Sequence, residues 1–160
     1  RNKGEIGGSE YLKTIYGLKR GKCPEINLKL EKNLQRAVLE MIDKRIIKSA
    51  HDCAEGGIAI ALVESCLGNP YQRIGAKVKL SSQRIRTDAL LFGESQSRVI
   101  LSAEPKNISK IIKIARKNKV PVSVIGEVGG DRLIIDGLLD VAITQIYEVW
   151  SKAIENYLKE

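Results

Sequence analysis

Apolar side chains return every three to four residues along four stretches of this chain, and along five shorter ones they alternate or run together as strands do. Leu34, Val38, Leu39, Met41 and Ile42 mark a surface helix near residues 31–45, with Glu31, Lys32, Gln35, Arg36, Glu40 and Lys44 on its wet side. Ile108, Ile111, Ile112 and Ala115 sit at i, i+3, i+4 and i+7 of a helix near 105–118, where Pro105 suits the first turn. Ile58, Ala59, Ile60, Ala61, Leu62 and Val63 are apolar on every side, which predicts a buried helix near 57–67 that ends around Gly68-Asn69-Pro70. A last helix is predicted near 146–158. Strands are predicted near 46–50, 75–80, 98–103, 122–128 and 132–136, the last two joined as a hairpin through Gly129-Gly130-Asp131. Ser9 suits the N-cap of a short helix from Glu10 to Leu18, and a further helical turn is predicted from Thr87 to Leu91. This alternation predicts an α+β fold, a mixed β-sheet covered by helices, in a single domain over residues 1–160.

Composition narrows the class. No apolar run approaches the ~20 residues of a membrane span and no signal peptide precedes the first helix, so a soluble, cytoplasmic chain without a membrane partner is expected. Cys23, Cys53 and Cys66 are odd in number and lack C-x-x-C spacing, which is neither a disulfide framework nor a zinc site. The net charge of +8 is concentrated at the front: residues 1–50 carry twelve Lys/Arg against six Asp/Glu, whereas residues 111–160 balance at seven each. Those lysines lie beside acids such as Glu31 and Glu40 at helical spacing and without an aromatic stacking platform, so they read as solvated helix faces, not as a nucleic-acid surface. The chain opens at Arg1 without a methionine, which fits a fragment of a longer protein or a processed chain.

Two polar segments interrupt the apolar pattern. The first, His51-Asp52-Cys53-Ala54-Glu55-Gly56-Gly57, joins a predicted strand to the buried helix. Gly56 and Gly57 allow close approach of backbone to a ligand, and the helix start would offer N–H groups to an anion. Asp52 can be read either as a metal or substrate ligand or as a helix cap. The second, Phe92-Gly93-Glu94-Ser95-Gln96-Ser97-Arg98, leads into a strand. Glu94 suits hydrogen-bond acceptance or Mg2+, Ser95 and Gln96 suit donation to a substrate, and Arg98 suits a phosphate or a pair with Glu94. No P-loop, G-x-S-x-G or H-E-x-x-H is present, and a triad would depend on the single histidine, His51.

Together with Gly7-Gly8-Ser9-Glu10-Tyr11 and Val124-Ile125-Gly126-Glu127-Val128-Gly129-Gly130-Asp131-Arg132-Leu133, these segments resemble phosphoribosylformylglycinamidine synthase of purine biosynthesis, over nearly the whole chain. That family has two homologous halves, each with an N-terminal ATP-binding and a C-terminal α+β subdomain. The Phe-Gly-Glu-Ser-Gln form resembles the second half, so the resemblance implies the last C-terminal subdomain, of the AIR synthase C-terminal type. It implies an ATP-dependent C–N ligase: ATP and Mg2+ activate the formamide oxygen of formylglycinamide ribonucleotide as an iminophosphate, and glutamine-derived ammonia then displaces phosphate to give the amidine.

Carried residue by residue, the resemblance makes Asp52 a magnesium ligand and Glu94, Ser95 and Gln96, with Gly56 and Gly57, a substrate- or nucleotide-binding loop. It assigns no catalytic residue to this chain alone and implies that the isolated piece is inactive. The implied partners are the remaining subdomains of the same synthetase, a glutaminase subunit and a small accessory subunit. Ala54-Glu55-Gly56-Gly57 departs from the commoner Ser-Asp-Gly-Gly, with Glu55 in place of the aspartate. The cleft of this half is either catalytic or the holder of a structural nucleotide. Alternative readings are a stand-alone nucleotide- or anion-binding module, and a sibling such as aminoimidazole ribonucleotide synthetase or selenophosphate synthetase.

Overall fold

The computed structural model describes residues 3–69, 71, 73–80 and 85–159. The α+β class holds: helices and mixed strands alternate along the chain, but the strands divide between two sheets instead of one. The chain forms two compact units, residues 1–61 with 82–124 and residues 62–81 with 125–160.

In the first unit, helix α1 (Glu10–Tyr16) starts on Ser9, whose hydroxyl accepts from the Leu12 amide, and stops at Gly17 in a left-handed turn. Helix α2 (Leu28–Asp43) is capped by Asn27 and carries Glu31 in its first turn, where the helix dipole favours a carboxylate. Strand β1 (Ser49–Asp52) pairs antiparallel with β3 (Val99–Ser102), Ser49 opposite Ser102 and Asp52 opposite Val99. Helix α4 (Thr87–Phe92) precedes β3, and a 3₁₀ turn (Pro105–Asn107) leads into α5 (Ile108–Lys117).

Its core is formed where α2 meets α5. Ala37 and Met41 pack with Ile46, Ile111, Ile114 and Ala115, and Ile47, Leu101, Ala103 and Val120 close over them. Of the stripe predicted for α5, Ile111 and Ala115 are buried and Ile108 and Ile112 half-buried, while Ile114, outside it, is buried as well. On α2 the buried line runs through Ala37 and Met41, whereas Leu39 and Ile42 are exposed, because the 3.6-residue period puts them on the far side from Met41 and Ala37.

A surface tie joins the same two helices. Glu40 accepts from Lys44 at 2.6 Å and from Lys117 at 3.1 Å, and these bonds push its carboxyl from the ordinary 4.5 down to about 2. A carboxyl lowered on folding stabilises above its unfolded value and loses that contribution as pH falls through the folded one. The tie is therefore complete at neutral pH and lost between 4.5 and about 2. Thermal unfolding of wild type and Glu40→Gln across that range should show a difference at neutral pH that closes as acid is added. The pair is exposed, so the gap is small.

The second unit holds a four-stranded sheet in the order β4-β2-β5-β6, from β2 (Ala76–Val78), β4 (Gly126–Val128), β5 (Arg132–Ile135) and β6 (Leu139–Ala142). Leu133 and Ile135 are fully buried on one face of β5. Here the predicted hairpin fails. β2 lies between β4 and β5, antiparallel to the first and parallel to the second. Gly129-Gly130 spans the gap, the Gly129 amide donating to the Gly75 carbonyl and the Gly75 amide to Gly130, each at 2.8 Å. The hairpin is instead β5–β6, around Asp136-Gly137-Leu138, and β6 was not predicted. Residues 122–125, read as the first part of a strand, are irregular, and pairing begins only at Gly126.

Helix α6 (Ile143–Tyr157) follows β6 without a loop and starts three residues before its predicted position. Val149, Trp150, Ile154 and Tyr157 on it are exposed. The buried helix of the sequence pattern is α3 (Gly57–Leu67), which begins in the first unit and continues into the second. Ala59, Ala61, Leu62, Cys66 and Leu67 are buried along it. Pro70, placed after its end by the sequence pattern, lies outside the described residues.

Candidate functional site

The antiparallel pairing of β1 with β3 puts the end of one strand beside the start of the other. The segments flanking them, 53–57 and 94–98, therefore share one end of this ribbon. The Cys53 amide donates to the Arg98 carbonyl at 2.9 Å and extends the pairing by one step. His51 and Asp52, read as turn residues from the sequence, are the last two residues of β1. Asp52 projects a carboxylate that is 74% exposed, with His51 Nδ1 at 3.7 Å from its Oδ1. Cys53 is buried, and that burial pushes its thiol up, away from a reactive thiolate.

Glu94 is the joint of the site. Its Oε1 accepts from the Gly56 amide at 2.9 Å and from the Glu10 amide at 3.0 Å, so one carboxylate oxygen binds the Gly-Gly turn to the start of α1. Its own amide donates to the Glu5 carbonyl at 2.8 Å. Tyr11 on α1 stacks on Phe92 with ring centroids 4.8 Å apart and planes within 4°. Three of the four segments singled out in the sequence thus converge on one carboxylate.

The turn itself depends on glycine. Gly57 has φ +66, and a Cβ there would stand 2.7 Å from the Gly93 carbonyl oxygen and 2.8 Å from the Phe92 carbonyl carbon. The two segments touch backbone to backbone. Two amides of this turn are already engaged within the fold, the Gly56 amide by Glu94 and the Gly57 amide by the Ala54 carbonyl at 3.1 Å.

Ser95 is 1% exposed, and its hydroxyl accepts from the Lys3 amide at 3.1 Å. Gln96 is exposed and donates through Nε2 to the Glu94 carbonyl at 3.1 Å. Arg98 was expected to meet a phosphate or Glu94. Instead its Nε donates to the Ser95 carbonyl at 2.8 Å and its Nη2 to the Gly93 carbonyl, so the guanidinium shapes the loop from beneath. Burial lowers the Arg98 pKa, and the nearby Cys53 and Glu5 act in the opposite sense. Glu5 accepts from the Glu25 amide through Oε1, while its Oε2 is buried without a hydrogen-bond partner.

Two contributors were missed in the sequence. Glu31, read as a solvated helix residue, accepts from the Ser97 hydroxyl at 2.6 Å across a sequence separation of 66. Ser97 has φ +60, a left-handed conformation that a serine seldom adopts. No local pattern announces either. Among the described residues, no group of three or more His, Cys, Asp or Glu is arranged to hold a metal ion. No helix of the described residues is long and apolar enough to cross a membrane.

The amino-acid sequence matches the family described as AIR synthase related protein, C-terminal domain, over residues 2–136, and the chain belongs to that family. That match covers parts of both compact units. Among curated relatives, the phosphoribosylformylglycinamidine synthase subunit PurL of Caldanaerobacter subterraneus subsp. tengcongensis is 42% identical over 153 residues. The alignment covers 93% of this chain and 20% of the relative, so the chain spans about a fifth of that protein's length.

Thermotoga maritima PurL complexed with ATP is 27% identical, with a TM-score of 0.61, over 72% of this chain and 21% of that one. The same protein complexed with FGAR gives 27% and 0.60, over 72% and 20%. The PurLQS structure from Thermotoga maritima gives 26% and 0.62, over 88% of this chain and 24% of that one.

Proposed function

We propose that this chain is the C-terminal α+β subdomain of the second half of a phosphoribosylformylglycinamidine synthase. The reaction is the ATP-dependent conversion of formylglycinamide ribonucleotide and glutamine-derived ammonia to the amidine. The observation that carries this reading is the convergence of the segments at Glu10, Gly56 and Glu94 on one carboxylate, in a chain 42% identical to a PurL subunit. Neighbours crystallised with ATP and with FGAR support the substrates, and the PurLQS assembly supports partner subunits, among them a glutaminase and a small accessory protein.

The residues divide by exposure. Asp52 and Gln96 face solvent at the strand end and are the groups that meet ligand. Glu94 Oε1, the Ser95 hydroxyl and the Gly56 and Gly57 amides hold their loops in register, each bonded within the fold, and Glu94 Oε2 is the part of that carboxylate left for ligand. The donor set fits magnesium in one way. A single exposed carboxylate cannot cage the ion, but Mg2+ is commonly held by one or two carboxylates together with substrate phosphates and water. Asp52 would hold it from the protein side, and the bound ion would neutralise phosphate charge during transfer.

Phosphoryl transfer depends on aligning nucleotide, metal and acceptor in a site closed to water. This chain supplies only a few exposed polar side chains toward that alignment, Asp52, Glu55 and Gln96, so by itself it is expected to show no turnover. The assay is ATP-dependent amidine formation from formylglycinamide ribonucleotide and ammonia. In the full-length synthetase, Asp52→Asn should abolish turnover if this cleft is the catalytic one, and should weaken nucleotide retention with turnover kept if the cleft is structural. Turnover by the isolated chain above background, or an Asp52→Asn enzyme unchanged in both respects, would overturn the reading.

A further inference from the structure

Gln96 stands between two anchored neighbours. On one side the Ser95 carbonyl is held by Arg98 Nε at 2.8 Å and the Ser95 hydroxyl by the Lys3 amide at 3.1 Å. On the other, Ser97 occupies the left-handed region at φ +60, where an L side chain is disfavoured and persists only if its surroundings hold it. The Ser97 side chain is tied to Glu31. Glu31 Oε2 accepts from the Ser97 hydroxyl at 2.6 Å, and its Oε1 accepts from Gln35 Nε2 at 2.8 Å, one turn further along α2. A carboxylate in the first turn of a helix is itself favoured there by the helix dipole.

We propose that Glu31 is a positioning residue: its carboxylate latches Ser97 in the left-handed conformation and thereby aims Gln96 at the ligand. The ligand half of this statement rests on the function proposed above; the latch half rests on the hydrogen bond and the backbone angle alone. Release of Ser97 lets residues 96–97 relax toward ordinary dihedrals, and Gln96 loses its aim while the rest of the ribbon stays paired.

The test uses the full-length synthetase with Glu31→Ala, Glu31→Gln, Ser97→Ala, Gln96→Ala and the Glu31→Ala/Gln96→Ala double variant. Loss of a hydrogen bond to a charged acceptor predicts amide exchange across residues 94–98 faster by about tenfold or more in Glu31→Ala and Ser97→Ala. Glu31→Gln, which keeps a carbonyl acceptor without its charge, should exchange more slowly than Glu31→Ala and nearer to wild type. Gln96→Ala and Glu31→Ala should each raise the KM for formylglycinamide ribonucleotide or for ATP with kcat largely kept, and the double variant should be no worse than Gln96→Ala. Unchanged exchange in both latch variants overturns the latch. Multiplying effects on KM in the double variant overturn the route through Gln96. The function proposed for the site fails separately, if Gln96→Ala and Asp52→Asn both leave kinetics and nucleotide retention unaltered.

Discussion

Gly57→Ala is expected to destabilise the first unit by about 3 kcal/mol or more. Two causes act together. The left-handed φ of +66 alone costs an alanine roughly 1–2 kcal/mol. The added Cβ would also stand 2.7–2.9 Å from three backbone atoms of residues 91–93, and backbone that is hydrogen-bonded on both sides has little freedom to retreat. Gly17→Ala separates the two causes. Gly17 has φ +65 but nothing within 4 Å of its Cβ, so only the dihedral penalty of ~1–2 kcal/mol applies. Urea unfolding of both variants, read beside local amide exchange at residues 91–98, measures the difference. Equal losses would show that the close contact is not what makes glycine necessary.

Glu94→Ala is expected to cost ~2–4 kcal/mol, because two charge-assisted hydrogen bonds are lost and two amides are left without their acceptor. Those amides belong to Glu10 and Gly56, so the loss should appear as faster exchange at both places, 84 and 38 residues away in sequence. The site is only partly buried and water can reach the freed amides, which keeps the cost toward the lower figure. Glu94→Gln keeps a carbonyl oxygen in nearly the same position and should lose about 1 kcal/mol or less. In the full-length synthetase the alanine variant should retain nucleotide poorly even at temperatures where it stays folded. An alanine variant as stable as wild type, with unchanged exchange at Glu10 and Gly56, would remove Glu94 from its place as the joint of the three segments.

Local spacing alone determined the elements whose identity depends on neighbours along the chain. α5 was legible because Ile108, Ile111 and Ala115 repeat at the helical period, and α3 because its run is apolar throughout, although only Ala59, Ala61 and Leu62 of that run are buried and Ile60 is exposed. The cap at Ser9, the polar segments around Asp52 and Glu94, and the family they resemble were likewise legible, since each is a short string read in order.

Pairing across the fold was decided by tertiary structure. Gly129-Gly130 looks like a hairpin turn, yet β2 enters between β4 and β5, because a strand 50 or so residues earlier offers a better partner than the adjacent one. Arg98 and Glu94 look like an ion pair four residues apart, but the half-buried guanidinium donates instead to the Ser95 and Gly93 carbonyls. Glu31 carries no mark that separates it from the other acids of α2; only the folded chain brings Ser97 to it across 66 residues. Periodicity reports which face of an element is buried. Which distant hydrogen-bonding group completes a site depends on where the two backbones end, and no spacing within a single segment carries that information.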